Sequence, residues 1–409
     1  MATVVDMTQF DAWLKELYPS GVPQDLALKN HVFLNKVRKE GNFVGEHIVW
    51  PILYEYGQGR SATIATVLGA SGPVGPSKGV RMLVTRSKDY AATFIDSETI
   101  LATTDMGAFA AARKFELDNI LKQLGNSMGH AIYRSGTGAL TQVAGTEGAA
   151  VGAVTTFTCS PITDARHLAV GMQLDFADED TTGGIRAGGV RTVTAVVVET
   201  GVITVDAVLT TPAVEGLDFV YATGDRGLKL KGLAAWLPLT APALGSDSFF
   251  GADRGVHPSR LAGLRLDQPT YPPEENILEL AERIAEQGGT PDWVMISHRT
   301  FTKLVKRLGA KIEIENGENP KVGFAYITMV TSAGVLRVYP DPDCPDNLGY
   351  VLSSETWVLR HLGEFPHIVR DDGLAALRRD ASDSIEIRAR YYGQLMCNAP
   401  GHNGVFSVG

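Results

Sequence analysis

A chain of 409 residues exceeds one ordinary domain and implies two or three packed units. With 44% hydrophobic and 20% charged residues it has ample material for cores and is neither disordered nor collagen-like, despite 44 glycines. Lys plus Arg is 37 against 46 Asp plus Glu, so the formal charge of −9 leaves no basic surplus for tight nucleic-acid binding. Three cysteines without a CxxC exclude a disulfide scaffold or zinc ribbon and suit a reducing compartment. Met1 to Trp13 lacks the basic and apolar regions of a signal peptide, and no apolar run is long enough to span a bilayer.

Residues 1–46 have the character of an arm. Phe10, Trp13, Leu14 and Leu17 have helical spacing, and Gly21 and Pro23 stop that helix. The segment has too little apolar surface to fold alone, so it must dock on its own chain or on a neighbour. HIVWPILYEY, His47 to Tyr56, is a strand in which Pro51 demands an edge or an outward-facing position. Arg81 to Phe94 is a second strand, and GASGPVGPSKG between them is rich in turn formers. Together they predict one long hairpin over about 47–95, marginal in water unless another subunit lies beneath it.

Thr104 or Asp105 caps the strongest helix, which runs to about Arg134 with Leu117, Leu121, Leu124, Met128 and Ala131 on one stripe. Gly125 and Gly129 weaken it and point to close packing or a bend. Over 144–225 short Val- and Thr-rich runs alternate with turns such as DEDTTGG, the pattern of a small inserted β-barrel or sandwich. Beyond it, Glu274 to Gln287 is an amphipathic helix with Ile277, Leu280, Ala281 and Ile284 inward. Trp293 to Ile296 is a strand, and Ser297 caps a helix with Phe301, Leu304, Val305 and Leu308 inward. Further strands fall at 335–339, 349–352, 357–362 and 385–397. Helices beside a mixed sheet make the class α+β.

Little in the chain carries chemistry. Ser77-Lys78-Gly79 has the wrong order for a phosphate loop and leads into a strand. No HExxH, no GxSxG and no helix-opening GxGxxG is present. His361 and His367 beside Asp371 and Asp372 form the best His/Asp grouping, without the spacing of metal ligands. Asp341, Asp343 and Asp346 imitate the start of a calcium loop, but the intervening Pro342, Cys344 and Pro345 favour a turn. Asp178, Glu179 and Asp180 are expected at a solvated loop tip, and Cys159 as a small buried hydrophobe. No catalytic, cofactor or metal residue is assigned.

The order of parts, and the stretches WPILYEYGQGRSA, KGLAAWLP, FFGADRGVHPSRLAG, GGTPDWVMISHRTFTKL and CNAPGHNGVFSV, resemble the major capsid proteins of tailed double-stranded DNA phages. The resemblance implies the Hong Kong 97-like fold with an inserted small β domain. Its implied divisions are an arm at 1–46, an extended hairpin loop at 47–100, and a peripheral domain with a spine helix at 101–143. An inserted domain at 144–225, peripheral domain again at 226–274, an axial domain at 275–365 and a peripheral return at 366–409 follow. It implies self-assembly as hexamers and pentamers into an icosahedral head assembled in the host cytoplasm. Scaffolding, portal and decoration proteins are its implied partners, with DNA contacted non-specifically and no membrane. The intersubunit contact candidates are Phe10, Trp13, Trp50, Pro51, Lys78, Arg81 and Lys88, with Lys78 or Lys88 the only hairpin lysines able to cross-link a shell. A nanocompartment shell of the same fold is the alternative, and a carbohydrate-active hydrolase or receptor-binding tail protein are the alternatives of other classes.

Overall fold

The computed structural model describes residues 31–57, 59–68, 75–96, 106–146, 149–152, 154–180, 184–186, 189–209, 214–308, 314–316, 325–363, 366–369, 377–378 and 383–409. A short helix, Val32–Lys36, leads into strand β1, Arg38–Glu40. Strands β2, His47–Glu55, and β3, Lys78–Thr85, form a two-stranded antiparallel sheet. Pro51 stands opposite Arg81 there, and a two-stranded sheet consists only of edges, which tolerate a residue without an amide proton. Strand β4, Ser87–Asp96, leaves the hairpin. The single strand expected over Arg81 to Phe94 is thus two strands broken at Arg86, whose guanidinium donates to the Phe43 carbonyl at 3.0 Å. Ser87 is buried and donates to the Leu228 carbonyl at 2.7 Å. These polar residues look solvent-facing in the sequence because their partners lie far away along the chain.

The long helix, Met106–Ala131, has 26 residues and extends about 39 Å. Ile120, Leu124, Met128 and Ala131 are buried, with Leu121 half-buried beside them. Its expected caps, Thr104 and Asp105, lie outside the described residues. Six strands follow: β5 (Ala139–Val143), β6 (Thr156–Ser160), β7 (Gln173–Ala177), β8 (Arg191–Val197), β9 (Val202–Val205) and β10 (Phe219–Ala222). They close as a barrel in the order β10-β5-β6-β9-β8-β7. Alternation drives Val143, Phe157, Cys159, Leu174, Phe176, Ile203 and Val220 inward, and the Phe157 and Phe176 rings meet edge to face at 5.5 Å. Closure removes the exposed edges that so short a sheet would otherwise present. The barrel starts at Ala139, ahead of the expected boundary at 144, because β5 is needed to close it against β10.

The rest of the chain adds β11 (Leu264–Leu266), the helix Pro273–Glu286, β12 (Trp293–Ile296), the helix His298–Leu308, β13 (Ile314–Asn316) and β14 (Ala325–Thr331). Then come β15 (Gly334–Pro340), β16 (Leu348–Leu352), β17 (Trp357–His361), β18 (His367–Ile368), β19 (Leu377–Arg378), β20 (Ser384–Cys397) and β21 (Gly404–Ser407). Seven of these strands form one sheet, β11-β21-β16-β12-β15-β14-β13. Ile277, Leu280, Ala281 and Ile284 of the first helix and Leu304 of the second pack on it with Val294, Ile296, Val338 and Phe406. Ser297 caps the second helix, accepting from the Thr300 amide at 3.2 Å. The other sheet runs β1-β17-β20-β18, and β4 and β19 also pair with β20.

These pairings depart from the expected divisions. Strand β17, placed by the sequence within 275–365, pairs with β20 in the body sheet, whereas β11 and β21, placed outside that span, belong to the seven-stranded sheet. A strand's own pattern reveals its buried faces but not its ladder partner, so divisions drawn along the chain miss a crossing of this kind.

The stretches that carry the family resemblance are the fastenings of this body. Trp236 is buried, donates to the Leu395 carbonyl at 3.0 Å and packs edge-on against Phe249 at 4.9 Å. Buried Arg254 lies over the Phe249 ring, with its guanidinium carbon 3.9 Å from the ring centre, and bonds Asp247 Oδ2 at 2.7 Å and the Ala235 carbonyl at 2.7 Å. Asn403, wholly buried, joins the two sheets: its Oδ1 accepts from the Ser353 amide (2.8 Å) and Trp357 Nε1 (2.9 Å). Its Nδ2 donates to Thr356 Oγ1 (3.0 Å) and the Ala399 carbonyl (2.8 Å), so all four of its hydrogen-bonding sites are used.

Candidate functional site: a buried junction and an exposed hairpin

The loop after β15 is where four parts of the molecule meet. The expected turn forms there, with Asp341 and Asp343 buried in it. Asp341 Oδ2 accepts from the Phe33 amide at 2.9 Å and from the Tyr133 hydroxyl at 2.9 Å, while its Oδ1 accepts from the Asp343 amide at 3.0 Å. His31 Nδ1 forms a short contact with Asp343 Oδ2, and its Nε2 lies 3.1 Å from Asn126 Oδ1 in the long helix. Arm root, long helix and seven-stranded sheet are thereby tied at one point. The barrel joins them through Arg166, which donates to the Cys344 carbonyl at 3.1 Å, and through Asp164, which accepts from Arg134 at 3.1 Å.

Gly129 makes this junction possible. A Cβ there would lie 2.1 Å from His31 Nδ1 and 2.6 Å from Asp343 Oδ2, so only glycine admits the imidazole against the helix. Gly125 has open space around the same position. The close packing expected of the two glycines belongs to Gly129 alone.

Burial raises the Asp341 carboxyl, with Asp343 adding to it, and these outweigh the three donors to leave it near pH 6. Burial pulls the His31 imidazole down, but the contacts with Asp343 and Asp341 overcome that and leave it raised above its ordinary 6.5. Both shifts have the same sign for stability. A raised carboxyl stabilises the folded state below its unfolded value of about 3.8 and loses this as pH climbs through about 6. A raised imidazole stabilises fully below 6.5 and loses this as pH passes its folded value. The arm root is therefore held more firmly at pH 5.5 than at pH 8. Hydrogen exchange of the 32–37 amides, corrected for intrinsic rates, checks this. Protection should be higher on the acid side and the difference should shrink in His31→Gln; equal or reversed protection contradicts it.

The hairpin has two unlike faces. Ile52, Met82 and Val84 are buried in the main core, and the Leu83 amide donates to the Phe250 carbonyl at 2.8 Å. Trp50 is half-buried, donates to the Cys397 carbonyl at 3.2 Å and carries Arg360 over its ring. Arg260 holds the hairpin's rising strand, donating to the Tyr54 carbonyl at 2.5 Å and reaching Glu55 at 3.3 Å. The hairpin base therefore rests on its own chain, which the sequence reading did not foresee. Outward, Leu53 is 57%, Tyr56 75%, Ile64 73% and Leu68 77% exposed. Pro51, Lys78 and Arg81 are exposed on the same hairpin. Lys88, expected there too, lies on β4 in the body sheet, opposite Tyr392. Phe10 and Trp13 lie outside the described residues.

No catalytic constellation forms among the described residues. His361 and His367 sit on β17 and β18, which flank β20 on opposite sides, and bond the Gly363 carbonyl (2.8 Å) and Arg390 (3.3 Å). Asp371 and Asp372 lie outside the described residues. Among the described residues no three His, Cys, Asp or Glu side chains gather as metal ligands, and no helix is long and apolar enough to cross a membrane. Asp180, expected at a solvated tip, accepts from the Tyr221 hydroxyl at 2.8 Å. Burial pushes the Cys159 thiol up to about 11 and Cys397 up to about 12, so both stay protonated and poorly nucleophilic at neutral pH.

Residues 229–380, which include strands β11 to β19 and the helices Pro273–Glu286 and His298–Leu308, match the family described as SU10 major capsid protein. Over that stretch, somewhat over a third of its length, the chain is similar to phage major capsid proteins. No curated protein matches the chain. Among solved structures, a chain of the cyanophage A-1(L) capsid asymmetric unit is similar with a TM-score of 0.49 at 10% identity, covering 91% of this chain and 89% of that one. A chain from Mycobacterium phage Ogopogo gives 0.46 at 10% identity with 100% of both chains covered. The SrpI encapsulin of Synechococcus elongatus PCC 7942 gives 0.48 at 7% identity, covering 99% of this chain and 95% of that one.

Proposed function

We propose that the chain assembles as hexamers and pentamers into the icosahedral head of a tailed phage, built in the host cytoplasm around double-stranded DNA. In this reading the outer face of the β2–β3 hairpin lies on a neighbouring copy. The observation that carries it is the hairpin itself: a two-stranded sheet with one face anchored in the body, and with large apolar side chains exposed at Leu53 on β2, at Tyr56 just beyond it and at Ile64 and Leu68 in the short helix Ile64–Leu68 that follows. Exposed apolar patches of that kind mark interaction surfaces. Shell interfaces need large self-complementary areas, commonly about 2,000 to 5,000 Å² for obligate contacts. A net charge of −9 suits a wall along which packaged DNA stays mobile. Portal, scaffolding and decoration proteins complete this reading as partners. Lys78, exposed at the start of β3, remains the one described hairpin lysine placed for a cross-link.

Electron microscopy of the chain expressed with its neighbouring assembly factors tests this. Closed particles holding genome-length DNA are expected. Persistent monomers under all such conditions overturn it, and a co-purifying protein cargo in place of DNA would indicate a nanocompartment.

A further inference from the structure

The two helices that pack on the seven-stranded sheet carry opposite charge. Pro273–Glu286 holds Glu274, Glu275, Glu279, Glu282 and Glu286 against the single base Arg283. His298–Leu308 holds Arg299, Lys303, Lys306 and Arg307 and no acidic residue, although the chain as a whole is acidic. The first packs chiefly on β11 and β21 and the second on β15, so the two charges sit over different parts of the sheet. One ion pair joins the helices, Glu274 with Arg307 at 2.7 Å, and Glu279 pairs with Arg283 of its own helix. Glu275, Glu282, Glu286, Arg299 and Lys306 are exposed and have no ion-pair partner among the described residues.

Three of these charges stand where their own helix disfavours them. The C-terminal end of a helix carries partial negative charge and the N-terminal end partial positive charge. Glu286 ends the first helix with Glu282 one turn before it, and Arg299 lies in the opening turn of the second. Glu282 and Glu286 are moreover like charges four positions apart, which destabilise a helix. An oppositely charged surface outside the subunit offsets these costs.

We infer that each copy sets its acidic helix face against the basic helix face of the next, with Glu282 and Glu286 of one opposite Arg299 and Lys306 of the other. This rests on the shell reading and adds to it a contact separate from the hairpin. Closed rings such as hexamers and pentamers join each subunit to the next through two unlike patches that fit one another. An acidic helix face and a basic one are such a pair. Single exposed ion pairs contribute little, but like charges brought face to face oppose association, so the arrangement selects which surfaces meet.

Three full-chain variants, expressed with the neighbouring assembly factors beside the wild type, test this: Glu282→Lys/Glu286→Lys, Arg299→Glu/Lys306→Glu, and all four changes together. Either pair alone gives the facing surfaces the same sign and should cut the yield of closed particles by about tenfold or more. The four changes together exchange the signs and should restore the yield to within about threefold of the wild type. As an unassembled subunit, Glu282→Lys/Glu286→Lys should melt no lower than the wild type, because lysine suits a helix C-terminus, so lost assembly is not lost folding. Wild-type yield from either pair alone, or no recovery with all four, overturns the contact. A wild type that forms no particles refutes the shell reading instead, which tells the two failures apart.

Discussion

The variant Leu53→Asp/Ile64→Asp/Leu68→Asp should remain folded and fail to form closed particles. All three side chains are exposed in the subunit, so aspartate costs the isolated chain almost nothing. Burying each apolar side chain against a neighbour is worth about 1.5 to 3 kcal/mol, and a buried unpaired carboxylate is worse than a lost contact. A loss of only about 3 kcal/mol per subunit contact weakens that contact more than 100-fold. The loss repeats at every copy of the interface. Sedimentation should show subunits or single capsomers in place of shells, with the circular dichroism of the wild type. Particles at wild-type yield would show that the outer hairpin face bears no assembly energy. Substituting Met82 or Val84 instead should destabilise the subunit itself, because these residues are in its core.

Gly129→Ala should lower subunit stability by about 2 to 4 kcal/mol, whereas Gly125→Ala should raise it by up to about 1 kcal/mol. Both changes favour the helix by about 1 kcal/mol. Only at Gly129 does the new methyl meet His31 and Asp343, and expelling His31 leaves the Asp343 carboxylate buried without its partner. Breaking a buried pair in this way costs about 3 to 5 kcal/mol. Urea unfolding of both variants measures the contrast. Adding Gly129→Ala to His31→Ala should cost less than Gly129→Ala does in the wild type, since the clash with His31 is then gone and only the approach to Asp343 remains. If Gly129→Ala proves as benign as Gly125→Ala, the junction does not hold the arm root.

Much of the fold was legible because periodicity is a local signal. The stripe Ile277, Leu280, Ala281 and Ile284 and the cap at Ser297 need only neighbouring residues to be recognised, and both stand where expected. Strand pairing is not local. Nothing between Arg81 and Phe94 says that the chain changes sheet at Arg86, because the strand that takes it over, β20, lies some 300 residues on. The junction was hidden for the same reason. His31 and Asp343 are separated by 312 positions, and an Asp flanked by Pro and Cys has the composition of an ordinary turn. One clue was present: Gly129 in an otherwise strong helix signalled a close approach, although not by what. The outer face of the hairpin was legible as an incomplete surface, yet its inner face, resting on Phe250 and Cys397, was not.

The claim that matters most is that copies of this chain hold one another through the hairpin. A density map of the assembled particle, at a resolution that traces side chains, tests it most directly. Leu53, Tyr56, Ile64 and Leu68 should be covered by a neighbouring subunit around the entire shell. A particle in which these four side chains face solvent, or fold back onto their own subunit, contradicts the account.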